Sequence, residues 1–288
     1  MRLALLLAAL ALPAFAQPLK YPPVLAGARE EVYQRIGEME LRLWIYNPAG
    51  HAATDSRPAI VFYFGGGWAN GSPAQFENQA KLLASRGMVA ITADYRVASR
   101  HQVKVDSCVR DAKSALRYVR LNARRLGIDP NRIAAGGGSA GGHLAAAIAT
   151  VPGFEEAGEI EKASSRPNAL VLFNPVLVLA AVPDVDSIRL AEDRLGVPAA
   201  SVSPFHHLQR GAPPTIVFHG EADTTVPFRT AELYRDKAVS LGAKCELVSY
   251  PGQTHGFFNH GRANNEYYDK TTRRMIEFLT GLGYLAAR

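Results

Sequence analysis

The run Gly137-Gly138-Ser139-Ala140-Gly141 sets a serine between glycines two residues to either side. It follows the short apolar stretch Arg132 to Ala135 and precedes an alanine-rich stretch from Ala140 to Thr150, so it reads as a sharp turn from strand into helix. Such a turn strains the serine backbone and exposes Oγ, and its neighbours must be small because larger side chains would meet the adjoining strand and helix. The next N–H, that of Ala140, then lies at the positive end of a helix, where charge developing on a carbonyl oxygen is stabilised. The chemistry is nucleophilic attack by Ser139 on an acyl carbon. A glycine-rich turn that merely packs helix against sheet is the plainer reading, and a phosphate loop is another. The dinucleotide pattern, however, wants an acidic residue ending the next strand, and that strand ends Leu172-Phe173-Asn174-Pro175.

A serine nucleophile needs a base and a group that orients the base. Asp223 lies in His219-Gly220-Glu221-Ala222-Asp223 after the apolar run Thr215 to His219, and His255 lies in Thr254-His255-Gly256-Phe257-Phe258 after the run Cys245 to Tyr250. Both positions fall beyond the carboxyl ends of strands, where parallel sheets place their sites. Glu221 is the rival acid and His260 the rival base. Upstream, Gly65-Gly66-Gly67-Trp68 ends another apolar run. Glycines there let backbone N–H groups approach a ligand, so Gly66 and Gly67 are candidates to complete an oxyanion hole with Ala140. Trp68, Phe257 and Phe258, beside these motifs, are expected to line the substrate and shorten the acyl side. Asp94-Tyr95-Arg96 ends a further buried run, where an ion pair or hydrogen bond would stiffen the glycine loop. His206 and His207 read as helix-start or surface residues. No Cys, His and carboxylate group has metal-ligand spacing, so neither a metal nor any other cofactor is expected.

The elements that must carry these residues are legible as periodicities. Glu31 to Ile36 and Glu40 to Tyr46 alternate apolar and polar residues about Gly37-Glu38, as an antiparallel hairpin does. The grammar then changes to unbroken apolar runs, Ala59 to Phe64, Val89 to Ala93, Arg132 to Ala135, Ala169 to Phe173, Thr215 to His219 and Cys245 to Tyr250. Such runs are strands covered on both faces. Between and after them lie helical stretches at Ala74 to Ser85, Val105 to Leu126, Ala140 to Thr150, Phe228 to Leu241 and Glu266 to Leu282. Strand and helix taking turns predicts an α/β fold, a mostly parallel sheet with an antiparallel N-terminal edge and helices on both faces. Asn174 to Pro214 is Pro-rich, with a short helical piece near Val185 to Leu195, and reads as an excursion over the top of the sheet.

Arg2, the apolar stretch Leu3 to Leu12 and Pro13-Ala14-Phe15-Ala16 have the three parts of a secretory leader. The expectation is a signal peptide over 1–16, cleaved after Ala16, and one catalytic domain over 17–288, secreted or periplasmic. The apolar run is too short to cross a bilayer about 30 Å thick. A formal charge of +6 among 288 residues is dispersed singly and in pairs such as Arg124-Arg125, which argues against a nucleic-acid partner. Cys108 and Cys245 are expected on a helix and a strand start, as small buried residues and not a bridge.

Taken together, Gly65-Gly66-Gly67-Trp68, Asp94-Tyr95-Arg96, Gly137-Gly138-Ser139-Ala140-Gly141-Gly142-His143, His219-Gly220-Glu221-Ala222-Asp223 and Thr254-His255-Gly256-Phe257 resemble the hormone-sensitive-lipase-like and acetyl-esterase branch of the α/β-hydrolase superfamily. The resemblance implies cofactor-free hydrolysis of small-molecule or carbohydrate esters, often of short acyl groups, through an acyl-enzyme on Ser139. Phe64 occupies the place of the family's usual His before the glycines, and a large N-terminal helical cap is not expected, because few residues lie between the leader and the first hairpin. Two other readings share the fold, a prolyl-oligopeptidase-like peptidase and an inactive hydrolase fold used as a binding module. The first normally carries a gating domain, and the second normally loses the serine or the histidine.

Overall fold

The computed structural model describes residues 21–156, 163–187 and 190–287. The expected leader, residues 1–16, lies outside the described residues. Among the described residues eight strands run β1 (Arg29–Ile36), β2 (Met39–Tyr46), β3 (Arg57–Tyr63), β4 (Val89–Ala93), β5 (Ile128–Gly138), β6 (Ala169–Phe173), β7 (Thr215–Gly220) and β8 (Cys245–Tyr250). They form one sheet in the order β1-β2-β4-β3-β5-β6-β7-β8. β1 and β2 are antiparallel to each other and β2 is antiparallel to β4, while every later pair is parallel. The expected antiparallel edge and parallel body are both present.

The helices are α1 (Glu77–Ser85), α2 (Ala98–His101), α3 (Val105–Leu121), α4 (Ala140–Thr150), α5 (Glu192–Leu195), α6 (Pro204–His207), α7 (Phe228–Ser240) and α8 (Glu266–Gly281). Because alternate residues of a strand face opposite ways, the apolar runs feed two cores. Val61 and Tyr63 of β3 and Leu170 and Leu172 of β6 join Val109, Leu144 and Tyr234 from α3, α4 and α7. Ile60, Phe62, Val171 and Phe173 join Leu83 of α1 and Met275 and Phe278 of α8 on the other face. The result is a helix–sheet–helix sandwich.

Small shifts at the ends of β1 and β3 aside, three elements differ in extent from their periodicity. The stretch expected as one helix from Ala74 divides at Phe76 into a 3₁₀ turn, Pro73–Phe76, and α1, with Ser72 Oγ accepting from the Ala74 N–H at the turn's start. α3 stops at Leu121, five residues early, where the Asn122 side chain donates to the Tyr118 carbonyl at 2.9 Å. β5 starts at Ile128, not Arg132, because a bulge over Asp129–Asn131 restarts its pairing with β3 from Arg57↔Ile128 to Ala59↔Ile133. Within the excursion only four-residue helices appear among the described residues, α5 being the expected short piece. Cys108 in α3 and Cys245 at the start of β8 are both buried and free, and burial pushes the Cys245 thiol up to about 12.

Candidate active site

Ser139 stands between β5 and α4 with φ 54° and ψ −118°, a strained conformation for a non-glycine residue. Its N–H donates to the Phe173 carbonyl at 2.9 Å, and its own carbonyl accepts from the His143 N–H at 2.9 Å, so the turn is pinned from both sides. The glycine at 141 is required by proximity: a Cβ there would lie 2.0 Å from the Tyr63 carbonyl oxygen and 2.4 Å from that of Phe64. α4 therefore starts hard against the end of β3, and its first N–H, from Ala140, has no intrahelical acceptor.

The loop after β3 abuts the serine. A Cβ at Gly65 would lie 3.4 Å from Ser139 Cβ. Beyond it, Gly66, Gly67 and Trp68 take φ of 120°, 61° and 58°, so the chain curls left-handed and turns successive peptide planes over. The Gly66 carbonyl accepts from the Ala69 and Asn70 N–H groups at 3.1 Å, and the Gly67 carbonyl accepts from Arg194 Nη2 at 2.6 Å. With these carbonyls engaged, one within the loop and one by Arg194 of α5, the N–H groups of Gly66 and Gly67 are the candidates to meet a ligand. At the loop's root, Tyr95 Oη donates to the Phe64 carbonyl at 2.7 Å and the Phe64 and Tyr95 rings stack at 4.1 Å. This is the stiffening hydrogen bond expected of Asp94-Tyr95-Arg96. The ion pair of that motif is separate: Arg96 pairs with the fully buried Asp111 of α3 through Nη2 at 2.7 Å.

Asp223 and His255, carried on the loops after β7 and β8, reach Ser139 from the other side. His255 Nε2 lies 2.9 Å from Ser139 Oγ, and its Nδ1 lies 2.7 Å from Asp223 Oδ2. The neutral tautomer that satisfies both contacts donates from Nδ1 to the carboxylate and accepts the serine proton at Nε2. Asp223 Oδ1 accepts from the N–H groups of Thr225 and Val226, each at 2.9 Å. Burial would raise this carboxyl, but the contacts from His219, His255 and the Val226 N–H outweigh it and hold the group well below the ordinary carboxylate range. His219 itself is buried, with Nε2 2.9 Å from the Val226 carbonyl and 3.4 Å from Asp223 Oδ2. The rivals are elsewhere: Glu221 is exposed, and His260 is exposed with its ring edge-on to Tyr268.

The aromatic residues expected at the substrate are placed differently. Phe258 is 1% exposed and stacks among Phe76 and Phe173 beneath Gly138, while Phe257 is 4% exposed against Tyr250 and Tyr267. Both are core residues of the α1/α8 face, because the chain turns inward after Gly256. Trp68 is 4% exposed and donates from Nε1 to His143 Nδ1 at 3.2 Å. It holds the loop to α4 instead of forming a wall. His206 and His207 are the last two residues of α6 and not its start, with His206 Nδ1 2.8 Å from Ser203 Oγ and His207 Nε2 2.9 Å from the Ala200 carbonyl. Among the described residues no three His, Cys, Asp or Glu side chains cluster as metal ligands, and no helix is long and apolar enough to cross a membrane. A surface recess bordered by Lys113, Glu155, Arg166 and Arg210 includes none of Ser139, Asp223, His255 or the glycine loop, so hydrogen-bond geometry and not concavity identifies the candidate site.

The sequence motifs assigned no role to three contributors. His143 bridges Trp68 and the Val202 carbonyl, while Gln75 and Asn259 connect the glycine loop to the histidine loop. Asn259 directly follows Phe258, but neither its type and spacing nor those of Gln75 carry a catalytic signal, and only the fold brings the two together.

A family model described as BD-FAE matches residues 43–237, and one described as the dienelactone hydrolase family matches 198–282. Esterase 2 of Thermogutta terrifontis, solved phosphoramylated by tabun, superposes with a TM-score of 0.89 at 51% identity, covering 94% of this chain and 100% of that one. The same esterase has been solved with propionate and with butyrate bound. Esterase LipC of Mycobacterium tuberculosis is 31% identical over 71% of this chain and 54% of its own length. A probable isoprenylcysteine alpha-carbonyl methylesterase of Arabidopsis thaliana is 28% identical over 74% of this chain and 48% of its own. The chain thus spans about half the length of these curated relatives.

Proposed function

The chain belongs to the BD-FAE family, and from that premise we propose that it is a serine-dependent carboxylic ester hydrolase acting on acetyl and other short acyl esters. The observation that carries the reading is the unbroken hydrogen-bonded run from Ser139 Oγ through the His255 ring to Asp223. His255 takes the Ser139 proton as Oγ attacks the acyl carbon, and the tetrahedral oxyanion is held by the N–H groups of Gly66, Gly67 and Ala140. The same imidazole then protonates the departing alcohol, leaving an acyl-enzyme that water cleaves by the reverse sequence of proton transfers. Asp223 stays ionised throughout, orienting the ring and stabilising its charged form.

An inactive binding module would be expected to have a broken triad, and here all three side chains stand within hydrogen-bond reach. The short acyl limit is supported by the propionate- and butyrate-bound forms of the Thermogutta esterase, and no longer by Phe257 and Phe258. We also infer an exported enzyme, with 17–288 as its single catalytic domain; recovery of a mature N-terminus other than Gln17 would contradict that cleavage site. The test of function is kcat/KM on p-nitrophenyl esters from two to twelve carbons, for the wild type and Ser139→Ala. The expected maximum is at two to four carbons, with loss of about 10⁴- to 10⁶-fold in the folded variant. A maximum at eight carbons or beyond would exclude the short pocket, and normal turnover by Ser139→Ala would exclude the mechanism.

A further inference from the structure

We propose that Gln75 and Asn259 are positioning residues that lock the oxyanion loop and the histidine-bearing loop into one fixed relation. The inference rests on the esterase reading and extends it to groups that touch neither substrate nor proton. The peptide plane joining Phe64 to Gly65 is held at both ends. Tyr95 Oη donates to its carbonyl at 2.7 Å, and its N–H donates to Gln75 Oε1 at 2.6 Å. A plane fixed at both poles cannot rotate, and the peptides of Gly66 and Gly67 follow it directly.

The Gln75 amide continues the chain of contacts. Its Nε2 donates to Asn259 Oδ1 at 2.9 Å, and Asn259 Nδ2 donates to the Gly256 carbonyl at 2.9 Å. Gly256, the residue after His255, also donates its N–H to the buried Asn174 Oδ1 at 2.9 Å. Each amide accepts from one side and donates to the next, so the polarity is consistent from Gly65 to Gly256. The two loops are thereby linked across a separation of 184 residues between Gln75 and Asn259. Phe64, which cannot donate a hydrogen bond, stacks on Tyr95 instead. Gln75 is thus the side chain bonded to the loop's root N–H. An amide does not titrate, so this brace is independent of pH.

The functional consequence is geometric. Oxyanion donors act only when aimed at the position the oxygen will occupy, and His255 must meet the serine proton in the same complex. Loosening the link therefore lowers the rate without weakening ground-state binding. The test compares Gln75→Ala, Asn259→Ala and the double variant with the wild type on p-nitrophenyl acetate, alongside inhibition by a trifluoromethyl ketone that mimics the tetrahedral adduct. The expected result for Gln75→Ala is a kcat lower by about 10- to 100-fold with KM changed less than about threefold, and ketone affinity lower by a similar factor. The double variant should lose no more than Gln75→Ala alone, because one chain of contacts is broken once. If alanine lowers the melting temperature, Gln75→Met keeps the side-chain volume and should give the same kinetic pattern. A Gln75 variant with kcat within about twofold of wild type, or losses that multiply in the double variant, would overturn the brace while leaving the esterase reading intact. A folded wild type that hydrolyses no ester would instead overturn the esterase reading, and the brace with it.

Discussion

In the proposed mechanism, acylation at Ser139 needs one proton to leave Oγ, and His255 Nε2 stands 2.9 Å away to receive it. His255→Ala should therefore cost about 10⁴-fold or more in kcat, whereas His260→Ala should stay within about threefold; the opposite ranking in steady-state kinetics would reassign the base. His143 makes a different prediction. Its Nε2 lies 2.7 Å from the Val202 carbonyl, so it carries the proton there and accepts from Trp68 at Nδ1. Burial disfavours the charged ring and pushes it down to about 4. Below about pH 6.5 the unfolded chain binds this proton and the folded chain does not, so stability present above 6.5 is lost as pH falls toward 4. The gap corresponds to about 3 kcal/mol. Asp94, which burial raises to about 6, acts in the opposite sense over part of that range. The measurement is accordingly a difference: between pH 4 and 6.5 the denaturant midpoint of the wild type should gain on that of His143→Gln as pH rises, and parallel pH profiles would refute it.

At the scale of elements, the tightest joint is the start of α4 on the end of β3. Gly141→Ala would drive a methyl into two backbone carbonyls, neither of which can swing aside. The expected cost is about 3 kcal/mol, seen as a melting temperature lower by roughly 6–12 °C, together with lost activity as Ala140 is displaced. An unchanged melting temperature would mean the helix can slide. This joint was legible in the sequence, because a serine flanked by glycines between a strand and a helix has few other uses. The partners Asp223 and His255 were legible too, since each follows an apolar run. The bulge opening β5 and the early end of α3 were not, because Asp129–Asn131 and Asn122 act through local side-chain bonds that leave the apolar period unchanged. Phe257 and Phe258 misled for a related reason: adjacency to His255 does not say which way the chain turns after it.

For the whole molecule, one sheet gathers its site from both halves of the chain. Its antiparallel edge, β1, carries Arg29, Glu30, Glu31 and Arg35, charges that oppose pairing with another chain's strand. The strand order, with β4 outside β3, carries the chain outward before it returns to β5 at the centre, and no residue pattern announces that reversal. A chain stopped at Ser240 would keep Ser139 and Asp223 but lack β8, α8 and His255. It should show no labelling by a fluorophosphonate probe at concentrations that saturate the full chain, and robust labelling would show that the base is dispensable. The 116 residues between Ser139 and His255 also have a meaning in time. At about 5–20 residues per second a ribosome adds that segment in roughly 6–23 s. Throughout that interval the serine has been made and its proposed base has not, so under the proposed mechanism a nascent chain among the acyl esters of the cell that makes it stays chemically silent until His255 has been added.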